Sequence, residues 1–388
     1  MKKKTWIIVG LVMLGIVMRS PITSIPAILT DIAAGLQVDV SSLGILTSIP
    51  MLMFALFSTL VPKVIARVGL EKSVLLTLLL MMAGSSLRVF QVPGLFLGTA
   101  LLGMGIASIN VLLPSLVTAY FPDKVGVYTT LYSTVMSVSL TVMAYLAVPY
   151  TEATSWQSFI LLLSAMIGGA LLLWLPNLRN HTKLNARSNK SGEGALWKNK
   201  AAWALLIFSG LQSLIFYTES TWLPTVSQDA GFSKEAAAAL LTLYNIVSLP
   251  TSVLAPIVIS RSQMKKKLVW VTSFCFLTIA GLLVIWLAPA TFFWWGLGHI
   301  LMGVSVAALF PYMLLSLSSK TRNAGDTARL SGMVQSGGYL LAAVGPVLLG
   351  YSKRLFHSWQ PLILVLMLLA VVMIVSMFQF EKVDKIID

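Results

Sequence analysis

Charge is what this chain has least of. Asp, Glu, Lys and Arg together make 10% of its 388 residues, where a soluble domain carries about 25%. With 57% hydrophobic residues and a mean hydropathy of +0.88, that scarcity excludes a soluble domain. It predicts an all-α polytopic membrane protein. Cysteine is nearly absent too: Cys275 stands alone, so no disulfide framework forms within the chain. No HExxH or CxxC pattern occurs, and no glycine run is followed by a Walker lysine. No metal, no cofactor and no enzyme chemistry is therefore expected. The first apolar stretch is too long for a signal-peptide core.

What the chain does have is long apolar runs. Twelve spans are expected, over about 6–29, 43–66, 72–90, 94–119, 127–149, 157–178, 201–226, 236–259, 267–288, 292–318, 328–351 and 359–380. A net charge of +14 is of the sign that nucleic-acid binders carry, but its distribution argues otherwise. With the amino terminus placed in the cytoplasm, 22 Lys and Arg fall on the cytoplasmic side and 4 on the other. The acids divide almost evenly. This imbalance is an orientation signal, and it predicts a multi-pass protein of the plasma (inner) membrane with both termini cytoplasmic. The partners expected are a lipid bilayer and a small-molecule substrate, with no nucleic acid, and the chain is expected to be a monomer.

The longest polar break, residues 179–200, divides the spans six and six. The expected domains are a six-helix bundle over 1–178, a cytoplasmic linker over 179–200 and a second six-helix bundle over 201–388. Internal repeats support the division. LVPKVIAR from Leu60 to Arg67 matches LAPIVISR from Leu254 to Arg261. Ile25-Pro26 matches Leu223-Pro224, and Pro114 matches Pro311. Six spans per half leave both halves in the same orientation, a parallel repeat.

Here a family resemblance enters. Twelve spans, a central loop and a basic loop between spans 2 and 3 resemble the major facilitator fold. The superfamily's loop pattern is reduced here to PKVIARVGLEKS: its Asp is missing, and Arg67, Gly69 and Lys72 remain. More specific are MRSPITSIPAIL, GIASINVLLPSLV with FPDKVG, LQSLIFYTESTWLP and ARLSGMVQSGGYLLAAVGPVLLG. Together they resemble the cyanate permease and nitroimidazole transporter family within that superfamily. The resemblance implies a solute site near mid-membrane, lined by helices 1, 4, 7 and 10 and flanked by 2, 5, 8 and 11.

Arg19 is the first candidate for that site. It lies inside the first span, where a guanidinium costs about 2.5–3.5 kcal/mol and cannot shed its proton. Its planar fork of five donors suits a carboxylate, nitro group or cyanate-like anion. The alternative is a guanidinium capped by carbonyls freed near Pro21, or a buried ion pair. Glu219 is the one acid well within a span. It is a candidate proton carrier or a partner for Arg19; the alternative is a partly wet carboxylate at the outer mouth. Asp31 is expected to be solvated.

Tyr217 matches Arg19 under the repeat offset and offers a phenol to an anion or a flat solute. Gln212 shares its helix but not its stripe, being five residues away. Asn110 lies four residues before Pro114, whose ring displaces the Asn110 carbonyl. Its amide either lines the cavity or repairs the kink. Tyr244 and Asn245 in span 8, and Gln335 and Tyr339 on one face of span 11, complete the substrate-binding candidates. His299 is a second candidate for proton coupling, with a packing role as the alternative. Arg88, near the outer end of span 3, is expected to snorkel to headgroups.

These readings converge on a secondary active transporter. It would move a small anionic or polar organic solute, cyanate-like, carboxylate or nitroimidazole-like, by alternating access, with protons as a candidate coupling ion. The alternative is an exporter of toxic amphiphiles on the same fold, with Phe216, Tyr217, Trp222 and Tyr244 as a sticky surface. The longest loop, about 22 residues, leaves no room for an appended sensor or catalytic domain.

Overall fold

The computed structural model describes residues 2–38, 43, 46, 49–180 and 196–387. Most of the expected linker over 179–200 and the start of the expected second span, 43–66, lie outside them. Every regular element described is helical. The first is α1, Lys2–Thr23, which passes through a 3-10 turn, Ile25–Ile28, into α2, Leu29–Leu36. Then come α3, Ile49–Phe57, α4, Val61–Val68, α5, Leu70–Leu87, α6, Gln91–Tyr120, α7, Val125–Ala153, and α8, Trp156–Trp174. After the linker follow α9, Lys200–Asp229, α10, Lys234–Arg261, α11, Met264–Leu287, α12, Phe292–Ser319, α13, Ala324–Phe356, and α14, Gln360–Glu381.

Among the described residues ten helices are long and apolar enough to cross a membrane. The pair α3 and α4 makes an eleventh when taken as one span. The expected span 328–351 lies within α13, which is helical throughout. The second span differs from expectation: it is bent by 55° between α3 and α4. The break falls at Ser58–Leu60, just before Pro62 in the first turn of α4, where a missing amide hydrogen is tolerated. The matching LAPIVISR segment forms the last turns of an unbroken α10. The same repeat unit thus ends one span after a bend and another without one.

The chain forms two compact units. Unit 1 comprises Met1–Gly192 and Thr321–Ser336; unit 2 comprises Glu193–Lys320 and Gly337–Asp388. The first turns of α13 therefore group with unit 1, where Thr327 Oγ1 donates to Thr118 Oγ1 at 3.1 Å and Ser336 Oγ donates to the Ala55 carbonyl at 2.5 Å. In unit 1, α1 packs on α7 and α8, α5 on α6 and α8, and α3 on α6. In unit 2, α9 packs on α14, α11 on α12 and α14, and α10 on α12. Spans 1–6, 2–4, 3–4 and 3–6 of the first half thus pair as 7–12, 8–10, 9–10 and 9–12 of the second. Such matched pairing is what two parallel copies of one six-helix plan produce.

Small residues set the closest approaches. In unit 2 a Cβ built on Gly210 of α9 would meet the Gly338 Cα of α13 at 3.1 Å. Without side chains the two backbones touch, the packing that membrane helices use where lipid supplies no hydrophobic drive.

Candidate functional site

Helix α1 carries Arg19 about one turn before its α-helical stretch ends. Pro21 lies inside α1 and has no amide hydrogen to return to Val17. The helix ends at Thr23, and Pro26 sits in the 3-10 turn that follows. Around Arg19 the hydroxyls bond back along the helix. Ser20 Oγ donates to the Ile16 carbonyl at 2.5 Å, Thr23 Oγ1 to the Arg19 carbonyl at 3.0 Å and Ser24 Oγ to the Ser20 carbonyl at 2.7 Å. Ser139 of α7 lies 2.8 Å from Ser20 Oγ and 2.9 Å from the Ile16 carbonyl. Back-bonding of this kind bends helices. Arg19 itself is half-buried.

The second polar centre lies inside unit 2. Glu219 of α9 is 1% exposed, which is against the alternative of a partly wet carboxylate. Tyr244 of α10, also buried, donates its hydroxyl to Glu219 Oε2 at 3.0 Å. The other oxygen, Oε1, is buried with no hydrogen-bond partner. Beside the pair is a small recess bordered by Thr218, Glu219 and Trp222 of α9, Leu282 and Ile285 of α11, and Leu366 of α14. The Thr218 hydroxyl is a second buried group without a partner. His299 of α12, fully buried, places Nδ1 2.7 Å from the Trp295 carbonyl and leaves Nε2 unpartnered. Glu219, Tyr244 and His299 are thus three titratable groups inside one bundle.

The remaining candidates are scattered among several environments. Asn110 is fully buried in unit 1, and neither Oδ1 nor Nδ2 has a hydrogen-bond partner. Its amide therefore makes no repairing hydrogen bond beside Pro114, which lies inside an uninterrupted α6. Gln212 is buried, with Oε1 accepting from Ser213 Oγ at 3.3 Å. Tyr217 is half-buried and packs edge-on against Phe216. Gln335, in unit 1, is buried with Nε2 unpartnered, and Tyr339, in unit 2, is buried. Asn245 is exposed, as is Asp31. The adjacent Tyr244 and Asn245 point about 100° apart, the consequence of 3.6 residues per turn.

Two polar clusters were not anticipated. Arg88 does not snorkel: it is 1% exposed, and its Nη1 donates to the Pro21 carbonyl at 2.7 Å. The readable signal was the proline in α1, which marks a carbonyl in need of a donor. The other cluster gathers at one end of unit 2. Glu381 Oε1 accepts from Tyr312 at 2.5 Å and pairs with Lys267 at 2.5 Å. Oε2 pairs with Lys320 at 2.7 Å. Unit 1 has a related contact, in which Tyr120 donates to the buried Glu71. In sequence these groups stand at span ends, where charges are ordinarily solvated.

Of the aromatic quartet of the exporter reading, Phe216 and Tyr217 pack on each other. Tyr244 is committed to Glu219, and Trp222 packs on Trp359 with centroids 5.4 Å apart.

The sequence pattern of the Major Facilitator Superfamily matches residues 5–346. The chain is 34% identical to the uncharacterized transporter YycB of Bacillus subtilis (strain 168), over 94% of this chain and 91% of that protein. It is 32% identical to the 2-nitroimidazole transporter of Escherichia coli (strain K12), covering 92% and 91%. To the cyanate transport protein CynX of the same organism it is 22% identical, covering 90% of each. Its fold matches the Escherichia coli fucose:proton symporter FucP with a TM-score of 0.72 at 14% identity, over 96% of this chain and 98% of that one. A chain matched along most of its length by this pattern and by these relatives is a multi-pass membrane transporter and not an enzyme: it belongs to the major facilitator superfamily, among the relatives of the cyanate and nitroimidazole transporters.

Proposed function

We propose that this secondary transporter moves a small anionic or electron-rich polar solute, cyanate-like, carboxylate or nitroimidazole-like, across the plasma membrane by alternating access. The observation that carries the reading is Arg19, a permanently charged guanidinium in the interior of the first span, two residues before Pro21. A fixed cation in an apolar span is retained at a cost, and anion recognition is the use its planar donors fit best. Two relatives have names that specify such solutes, 2-nitroimidazole and cyanate. Asn110, Gln212, Tyr217, Tyr244, Asn245, Gln335 and Tyr339 are assigned as supporting polar groups. Glu219 and His299 are assigned to proton coupling, since both are buried in unit 2 with an unpartnered polar atom. The positive-inside imbalance supports cytoplasmic termini.

The test is uptake into proteoliposomes of cyanate, benzoate and 2-nitroimidazole, with thermal-shift binding of each. Arg19→Gln and Arg19→Lys should both abolish uptake and the stabilisation that a bound solute confers, with expression and folding unchanged. Unaltered kinetics in Arg19→Gln would remove the residue from the solute site.

A further inference from the structure

We infer that Arg88 is a positioning residue for the solute site, holding the end of α1 at Pro21 in the place that aims Arg19. The inference rests on the reading of Arg19 given above. Arg88 follows directly on α5 and reaches across unit 1 to α1. Its guanidinium is removed from water, and among the described residues no carboxylate pairs with it. One donor, Nη1, is spent on the Pro21 carbonyl; another, Nε, is buried and unpartnered. A buried cation satisfied only by backbone is expensive, and a surface alternative was available at a span end. The geometry shows what it does instead.

The carbonyl it holds is not an ordinary one. Pro21 O would take its helical hydrogen bond from the Ile25 amide, but α1 ends at Thr23 and Ile25 begins a 3-10 turn. Arg88 replaces that lost amide with a charge-assisted donor, roughly twice as strong as a neutral one. The path of its stem is built for the purpose. A Cβ on Gly98 of α6 would lie 2.7 Å from Arg88 Cγ, and a Cβ on Gly84 of α5 would lie 2.7 Å from the Leu102 amide nitrogen. Glycine at both positions lets α5 and α6 close together and leaves a channel for the arginine. Two residues before the held carbonyl is Arg19, whose own carbonyl is tied by Thr23. The tie at Pro21 thus fixes the position and rotation of α1 two residues beyond Arg19, and with them the direction in which the Arg19 side chain points. Misplacing a recognition group by about 1 Å is enough to lose about a hundredfold in function.

The experiment compares Arg88→Met, which keeps an unbranched side chain in the channel, with Arg88→Lys, which keeps one charged donor. Uptake of 2-nitroimidazole and cyanate is measured alongside amide hydrogen exchange. In Arg88→Met, KM should rise about tenfold with the maximal rate nearly kept, as for lost binding geometry. Exchange should accelerate over residues 22–28 and not over α5 and α6 as a whole. Arg88→Lys should recover a large part of both. Unchanged exchange over 22–28 in Arg88→Met overturns the proposal, with or without a measurable solute. So does failure of both variants to yield folded protein, which would make Arg88 a structural anchor alone. If Arg88→Met is silent while Arg19→Gln abolishes uptake, only this proposal falls. If Arg19→Gln transports normally, the reading of Arg19 falls first, and the exchange result still reports whether Arg88 holds the end of α1.

Discussion

Tyr312 and Glu381, 69 residues apart in the chain, meet at 2.5 Å, with the phenol donating to Oε1. The same carboxylate holds Lys267 and Lys320, and its side chain is 2% exposed. One buried acid thus joins α11, α12 and α14. Removing one partner of such a cluster strands the others away from water. Glu381→Gln is expected to destabilise the protein by about 3–5 kcal/mol, read as a fall in the thermal unfolding midpoint in detergent. A change under about 1 kcal/mol would mean that the lysines find water or other acceptors.

Beyond α14 the chain folds back. Lys320 Nζ donates to the Val383 carbonyl at 2.7 Å, the Ile386 amide to the Lys320 carbonyl at 2.8 Å, and Asn199 Nδ2 to the Ile386 carbonyl at 2.8 Å. Asn199 also caps α9, accepting from the Ala201 and Ala202 amides. Deleting residues 383–388 removes all three ties. A loss of about 2–3 kcal/mol is expected from the unmade hydrogen bonds, together with faster amide exchange in the first turns of α9. Unchanged exchange there would show that the tail adds nothing to the cap.

Glu219 and Tyr244 lend themselves to a separation of stability from coupling. An amide replaces the carboxyl without leaving a charge in the core, so Glu219→Gln should fold with stability within about 1 kcal/mol of the parent. Uptake driven by an imposed proton gradient should be lost, while solute exchange at equal pH on both sides continues. Tyr244→Phe removes the one donor to Oε2 and should lower stability by about 1–3 kcal/mol. Gradient-driven uptake that survives in Glu219→Gln would take the proton role away from this carboxyl.

Asn110 carries an amide with no partner at either atom. Burying it unsatisfied is unfavourable by about 1–3 kcal/mol. Asn110→Leu, close in volume, should therefore leave stability unchanged or raise it. If the amide serves the solute, uptake falls in the same variant. A variant both more stable and fully active would assign Asn110 no part in transport.

Much of the architecture was legible in the chain. Long apolar runs lead to an all-helical multi-pass membrane protein, because lipid forces helices, and ten or eleven of the expected spans stand among the described residues. The bend in the second span was not legible. LVPKVIAR and LAPIVISR read alike, yet Ser58 before the first bonds back to Phe54 at 2.7 Å and the helix breaks there, while α10 continues.

Polar residues inside spans were harder to rank. Arg19 and Arg88 are chemically identical, and position along a span suggested the wrong fate for the second. Whether a guanidinium reaches headgroups or a carbonyl depends on which helix lies beside it. For Arg88 that neighbour is α1, whose Pro21 lies 67 residues back along the chain.

Composition and order along the chain alone determined a helical, multi-pass membrane protein with repeated segments, since those properties follow from hydropathy and periodicity; the transporter reading came through the family resemblance. Which buried groups meet was decided only in three dimensions. Glu219 finds Tyr244, Glu381 finds two lysines and Arg88 finds Pro21 because helices distant in sequence pack side by side. A hydrogen bond has a range of about 3 Å, far shorter than anything that spacing along a chain can resolve.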